Sequence, residues 1–170
     1  GGGVQGLNFS ELAFSSDITA PSAGRHYYWD GAGSTLAAGN TAAVETGDLI
    51  SYKTIVRLKE AAKDTGLRGV KQKDGMEEQY HLFMTPTDMG NLELDTDFLA
   101  NQRNAGVRGA GNRLFAGGSS VLVNGVWCHE YRHVYNNVNA TSGVDMWGSS
   151  SDVLGSRLLF CGAQALAMAD

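Results

Sequence analysis

The 170-residue sequence has only two cysteines and two prolines, and it contains no apolar run approaching the 18 or more residues needed to span a membrane. Cys128 and Cys161 lie far apart, each inside an apolar run, so buried free thiols are expected rather than a disulfide or a metal pair. Basic clusters are absent as well. Thirteen Lys and Arg against 18 Asp and Glu give a net charge of −5, and the cations are scattered, which argues against a protein whose main task is to neutralise phosphates. The Gly-Gly-Gly-Val start lacks both the basic region and the apolar stretch of a signal peptide, so a soluble, cytosol-made protein is expected. With no opening methionine and no closing signal after Ala167-Met168-Ala169-Asp170, the chain is expected to be a fragment of a longer protein. No Gly-x-Ser-x-Gly nucleophile elbow occurs. The glycines and arginines of Asn104 to Arg113 are followed by no Gly-Lys-Ser or Gly-Lys-Thr, so they read as a flexible or interface loop. Asp88, Glu93, Asp95 and Asp97 lack the glycine and the closing glutamate of a calcium loop and suit helix starts instead.

Glycine is plentiful, at 23 residues, and 42% of the chain is hydrophobic. One domain with one sizeable core and many irregular loops follows. Residues 1 to 44 show little periodicity and read as an arm or long loop. Within them Arg25-His26-Tyr27-Tyr28-Trp29-Asp30 suggests an aromatic anchor against a neighbour. An amphipathic helix is predicted from near Thr46 to about Asp64, with Arg57, Lys59 and Lys63 in its C-terminal half and Gly66 as the stop. Gln79 to Met84 reads as a buried strand. Thr85-Pro86 then opens a short helix through Leu92, and Asp95 can cap another, Phe98 to Arg103. Arg157 to Cys161 reads as a short buried strand ended by Gly162.

His129-Glu130-Tyr131-Arg132-His133 matches H-E-x-x-H, the zinc-protease signature. On a helix the two histidines stand about 6 Å apart on one face and can share a zinc while the glutamate activates its water. On a strand they stand roughly 13 Å apart and Glu130 faces the other way. Trp127, Tyr131, Val134, Tyr135 and Val138 fall at helical spacing, but the flanks oppose a helix. Val121-Leu122-Val123 and Val126-Trp127-Cys128 are joined by Asn124-Gly125, a strong hairpin signal, because both central positions of a type I′ turn need positive φ. A hairpin over residues 120 to 135 is therefore predicted, with His129 and His133 on its second strand and sharing a face with Trp127, Tyr131 and Tyr135. No histidine or glutamate follows His133, and Asn136 and Asn139 occupy the positions of the Gly and His in the extended zincin motif. Asp145 and Asp152 are the remaining candidate oxygen ligands.

The order of these elements resembles the major capsid proteins of tailed phages, in particular a podovirus-type family. The resemblance rests on Tyr80-His81-Leu82-Phe83-Met84-Thr85-Pro86, on Asn101 to Arg108 leading into Asn112-Arg113-Leu114-Phe115-Ala116-Gly117, on Val123-Asn124-Gly125-Val126 running into His129-Glu130, and on Leu159 to Ala165. It covers most of residues 25 to 168. It implies an α+β fold, the tailed-phage major capsid fold shared with herpesvirus capsids and encapsulins, in which a peripheral domain with a long spine helix accompanies an axial domain. Residues 1–44 would then be arm or extended loop, and 45–170 the capsid core with residues 46 to 64 as the spine. The implied function is a structural, non-enzymatic one: self-assembly through hexamers and pentamers into an icosahedral shell that encloses double-stranded DNA without sequence-specific binding. Portal, scaffolding and decoration proteins are the further partners such a shell implies; no membrane, cofactor, metal or catalytic residue is implied. The protein would be made in the host cytoplasm and reside in the virion, with Arg103, Arg108 and Arg113 as candidates for the inward face. Two alternatives accompany this reading: a zinc metallopeptidase using His129, Glu130 and His133, and an encapsulin-like compartment shell.

Overall fold

The computed structural model describes residues 22–71, 77–104 and 120–163. A short antiparallel hairpin comes first, β1 (Tyr27–Asp30) with β2 (Thr35–Ala38), in register Tyr27 to Ala38 and Asp30 to Thr35. The aromatic segment of the sequence thus supplies a strand, and β2 lies against the following helix.

Helix α1 (Tyr52–Asp64) starts later than the periodicity suggests. Ser51 and Thr54 form a reciprocal capping box that fixes the first turn, while Asp48 is engaged elsewhere: its carboxylate accepts from the Gly31 and Glu45 amides at 2.8 and 2.7 Å. The predicted stop at Gly66 is present. Gly66 has φ +72°, its amide donates to Lys63 O, and Leu67 N donates to Ala62 O at 2.8 Å, the paired bonds of a glycine-terminated helix.

Strand β3 (Tyr80–Met84) leads through Thr85 into α2 (Pro86–Leu94). Thr85 and Asp88 form a second capping box with Pro86 at the first helical position. Helix α3 (Thr96–Asn104) follows directly. Asp95 caps it and also ties it to α1, because one carboxylate oxygen accepts from Phe98 N at 3.2 Å and from Tyr52 N at 2.9 Å.

Strands β4 (Ser120–Val123) and β5 (Val126–Glu130) form the predicted hairpin. Asn124 and Gly125 both carry positive φ, 48° and 79°, as a type I′ turn requires. With β6 (Leu159–Cys161) they make a four-stranded mixed sheet in the order β4-β5-β3-β6, in which β3 and β5 run parallel. A parallel pair needs a long crossover, and α2 and α3 lie within it.

Alternation along the strands sorts the sheet into two faces. Tyr80, Leu82, Met84, Val123, Val126 and Cys128 are buried against Ile55 and Ala62 of α1, Met89 and Leu92 of α2, and Phe98 of α3. The opposite face carries His81, Phe83, Leu122, Trp127, His129 and Leu159, all at least partly exposed. β6 is therefore less buried than its apolar run suggests: it is an edge strand, and Leu159 is 59% exposed.

Residues 131–158 form an irregular lobe in which Val134, Ala140 and Val153 are buried. Two isolated bridges, Asn136 to Ser156 and Trp147 to Val153, close it.

Candidate functional site

The H-E-x-x-H segment straddles the end of β5. His129 is a strand residue on the partly exposed face, and Glu130 is the last strand residue, paired with Met84. Beyond it the expectation of a strand reaching Tyr135 fails. Tyr131 N still donates to Met84 O at 2.8 Å, but Val134 N folds back onto Tyr131 O at 3.2 Å, so residues 131–134 turn away from the sheet. His133 consequently does not share a face with His129 and Trp127; its ring meets Tyr131 edge-on at 5.4 Å. The zinc-peptidase reading needs both histidines on one helical face, and neither His129 nor His133 lies on a helix. Asp145 lies in a turn of the irregular lobe, where its N donates to Thr141 O at 3.0 Å, and Asp152 lies just after another.

The side chain that His129 does meet is His81, one strand over. In the parallel register His81 lies opposite Trp127 and Phe83 opposite His129, so the two histidines are diagonal neighbours across the seam. Their rings are nearly parallel, 8° apart with centroids at 5.2 Å, and His81 Nδ1 stands 2.9 Å from His129 Nε2. Phe83 stacks on His129 at 5.0 Å and Trp127 lies at 6.5 Å. Aromatic faces favour a cation, but burial among them works against one, and His81 adds repulsion; together they hold the His129 pKa below its ordinary 6.5. Nothing in the spacing of His81 singled it out, because its partner is 48 residues away and only the strand register joins them.

Two further polar nodes hold the irregular lobe in place. Asn137 is fully buried; its amide donates to Val153 O at 3.0 Å and its oxygen accepts from Gly155 N at 2.7 Å. Asp88, already accepting from Thr85 Oγ1 at 2.6 Å, also accepts from Ser156 Oγ, which joins the α2 cap to the lobe. These are positioning contacts made by satisfied polar groups. A shallow groove between α1 and α3 is lined by Tyr52, Lys53, Arg57 and Asp97, and its cations are already paired, Lys53 with Asp97 at 3.7 Å and Arg57 with Glu60 at 2.7 Å. Arg103 lies exposed at the end of α3; Arg108, Arg113 and the rest of the glycine-arginine loop fall outside the described residues.

A family of phage capsid proteins, described as "Phage capsid protein", matches residues 3–169. The chain belongs to this phage capsid protein family. A curated family-type relative, the major capsid protein of Pseudomonas phage KPP25, is 45% identical over 163 residues, covering 95% of this chain and 43% of its own length. The capsid of Ralstonia phage GP4 superposes with a TM-score of 0.53 at 22% identity, over 89% of this chain and 42% of the other. The capsid subunit of cyanophage Pam1 gives 0.57 at 20% identity, over 73% and 34%. These two bear on the fold, which is the α+β fold of phage capsids. The chain spans less than half the length of each of these three proteins.

Proposed function

We propose that this chain is part of a major capsid protein that assembles with copies of itself, through hexamers and pentamers, into the icosahedral shell around phage double-stranded DNA. The observation that carries this reading is the family match over residues 3–169 together with 45% identity to a phage major capsid protein. Physical features agree with it. A shell subunit needs loops and sheet edges that meet other copies rather than a closed catalytic pocket, and its contacts are heterologous, closing into rings. A net charge of −5 suits a wall that contains DNA by enclosure and grips no sequence. In this reading α1 takes the role of the spine helix in a peripheral domain, residues 1–44 serve as arm and extended loop and include the β1–β2 hairpin, and 45–170 form the core, including the axial part. Portal, scaffolding and decoration proteins are the partners such a shell would meet, and the virion, after synthesis in the host cytoplasm, is its location. The relatives named above all come from phages, which favours a virion over a cellular compartment shell.

Electron microscopy of the purified full-length protein tests the proposal. Closed shells or capsomer rings are expected under assembly conditions. A preparation that stays monomeric across the salt and concentration range in which shells form would overturn it.

A further inference from the structure

The His81–His129 contact has a property the fold does not require of it. At 2.9 Å between Nδ1 and Nε2, one ring nitrogen donates and the other must offer a lone pair, so the contact exists only while at least one ring is neutral. It also bridges two strands whose pairing joins the halves of the sheet, β3 with β6 on one side and β5 with β4 on the other. We propose that His81 and His129 form a proton-released latch on the β3–β5 seam, closed when one ring is neutral and opened when both are charged.

Among the described residues, the surroundings offer the doubly charged pair no compensation. On this face β4 brings Ser120 and Leu122, β6 brings Leu159 and Cys161, and the seam strands themselves bring Phe83 and Trp127. The Cys161 thiol is pushed up by burial and stays neutral. Glu130 is the sole carboxylate in the four strands, and the alternation along β5 places it on the other face, opposite Met84. Glu78, just before β3, is held by Gly69 N at 3.0 Å. His133 is turned to Tyr131. Two imidazolium rings would therefore face each other across the seam with no carboxylate of the described residues between them, and rotation of either ring breaks the bond that spans it. Because the folded state holds His129 neutral more firmly than the unfolded chain does, the latch is fully present above pH 6.5, the ordinary histidine value, and is lost progressively as pH falls below it.

The experiment is a ring-proton NMR titration of the purified protein between pH 8 and 5, with amide exchange of β3 and β5 followed in parallel, beside His81→Asn and His129→Gln. In the parent the His129 ring should titrate below its ordinary value, and in His81→Asn its midpoint should move up. Exchange of the seam amides, corrected for its chemical pH dependence, should accelerate about tenfold from pH 7.5 to 5.0 in the parent and less than about threefold in His129→Gln. A His129 midpoint at or above the ordinary value in the parent overturns the proposal, and so does a lowered midpoint with unaccelerated seam exchange. The parent measurements decide the matter even where a variant fails to fold.

Discussion

At the scale of single residues, five letters of zinc-protease pattern were divided by one backbone turn. His129 kept its strand and found a partner 48 residues upstream, while His133 left with the turn at residues 131–134. What separates them is the end of a hydrogen-bonded ladder, which a motif does not encode. The cysteines behave more as composition suggests. Both are free thiols, and Cys128 is fully buried; burial pushes its thiol from 9.0 up to about 12. A thiolate is the reactive form, so at pH 8 Cys128 should react about a thousandfold more slowly than an ordinary thiol on ionisation alone, with occlusion added to that. Alkylation of the native protein followed by mass spectrometry should label Cys161 first and Cys128 only on unfolding; the reverse order would contradict the burial described above. The same shift makes a stability statement. An acid held protonated in the fold stabilises it fully below its unfolded pKa of 9.0, and that contribution disappears as pH rises from there towards about 12. Substituting Cys128→Ala should remove this alkaline component from the pH profile of thermal unfolding.

At the scale of elements, legibility in the sequence followed the range of the interactions involved. The Asn124-Gly125 turn, the Thr85-Pro86 start and the Gly66 stop were all readable, because each depends on two or three adjacent residues with special φ or a capping oxygen. Gly125→Ala should therefore cost about 1–2 kcal/mol, since φ of +79° forces an L-residue into the left-handed region; Gly125→Asn should cost less. Urea unfolding checks this as a lowered midpoint at constant slope. The start of α1 falls several residues later than the periodicity predicts, because the Ser51–Thr54 pair fixes its first turn while Asp48 is tied to Gly31, 17 positions away. Asp95 shows both cases in one side chain. Its cap on α3 was legible, but its bond to Tyr52 N, 43 residues distant, was not. Asp95→Ala removes both bonds and should lose about 1–3 kcal/mol, whereas Asp95→Asn, which retains an acceptor oxygen, should lose about half as much or less. Equal losses in the two variants would mean that charge at the α3 start, rather than the shared acceptor, carries the effect.

For the whole molecule, the described residues fall into a well-packed unit and a loosely specified one. α1, α2, α3 and one face of the mixed sheet share a single apolar cluster. The lobe of residues 131–158 lies outside most of it and is held by Asn137, by two isolated bridges and by Arg157, whose guanidinium lies 5.0 Å from the Tyr135 ring centre and 6.0 Å from that of Trp147. This lobe was the least legible part of the chain, because Asn, Gly and Ser carry no periodicity and a buried asparagine cannot be told from a solvated one in sequence. Few apolar contacts and many turn hydrogen bonds imply opening at lower free energy than the sheet. Native-state hydrogen exchange should accordingly show two classes, with the Leu82 and Cys128 amides exchanging by near-global unfolding and the amides of 134–156 by a smaller, separate opening. Asn137→Ala discriminates sharply, because it leaves the Gly155 amide without its partner and takes one of two donors from the Val153 carbonyl, which keeps Trp147 N, at about 1–3 kcal/mol. If the lobe is a separate cooperative unit, its amides should speed up by the factor corresponding to that loss while those of β3 and β5 change little. If every amide speeds up together, the lobe and the sheet unfold as one, and the Asp88–Ser156 bond is then the first place to look for what couples them.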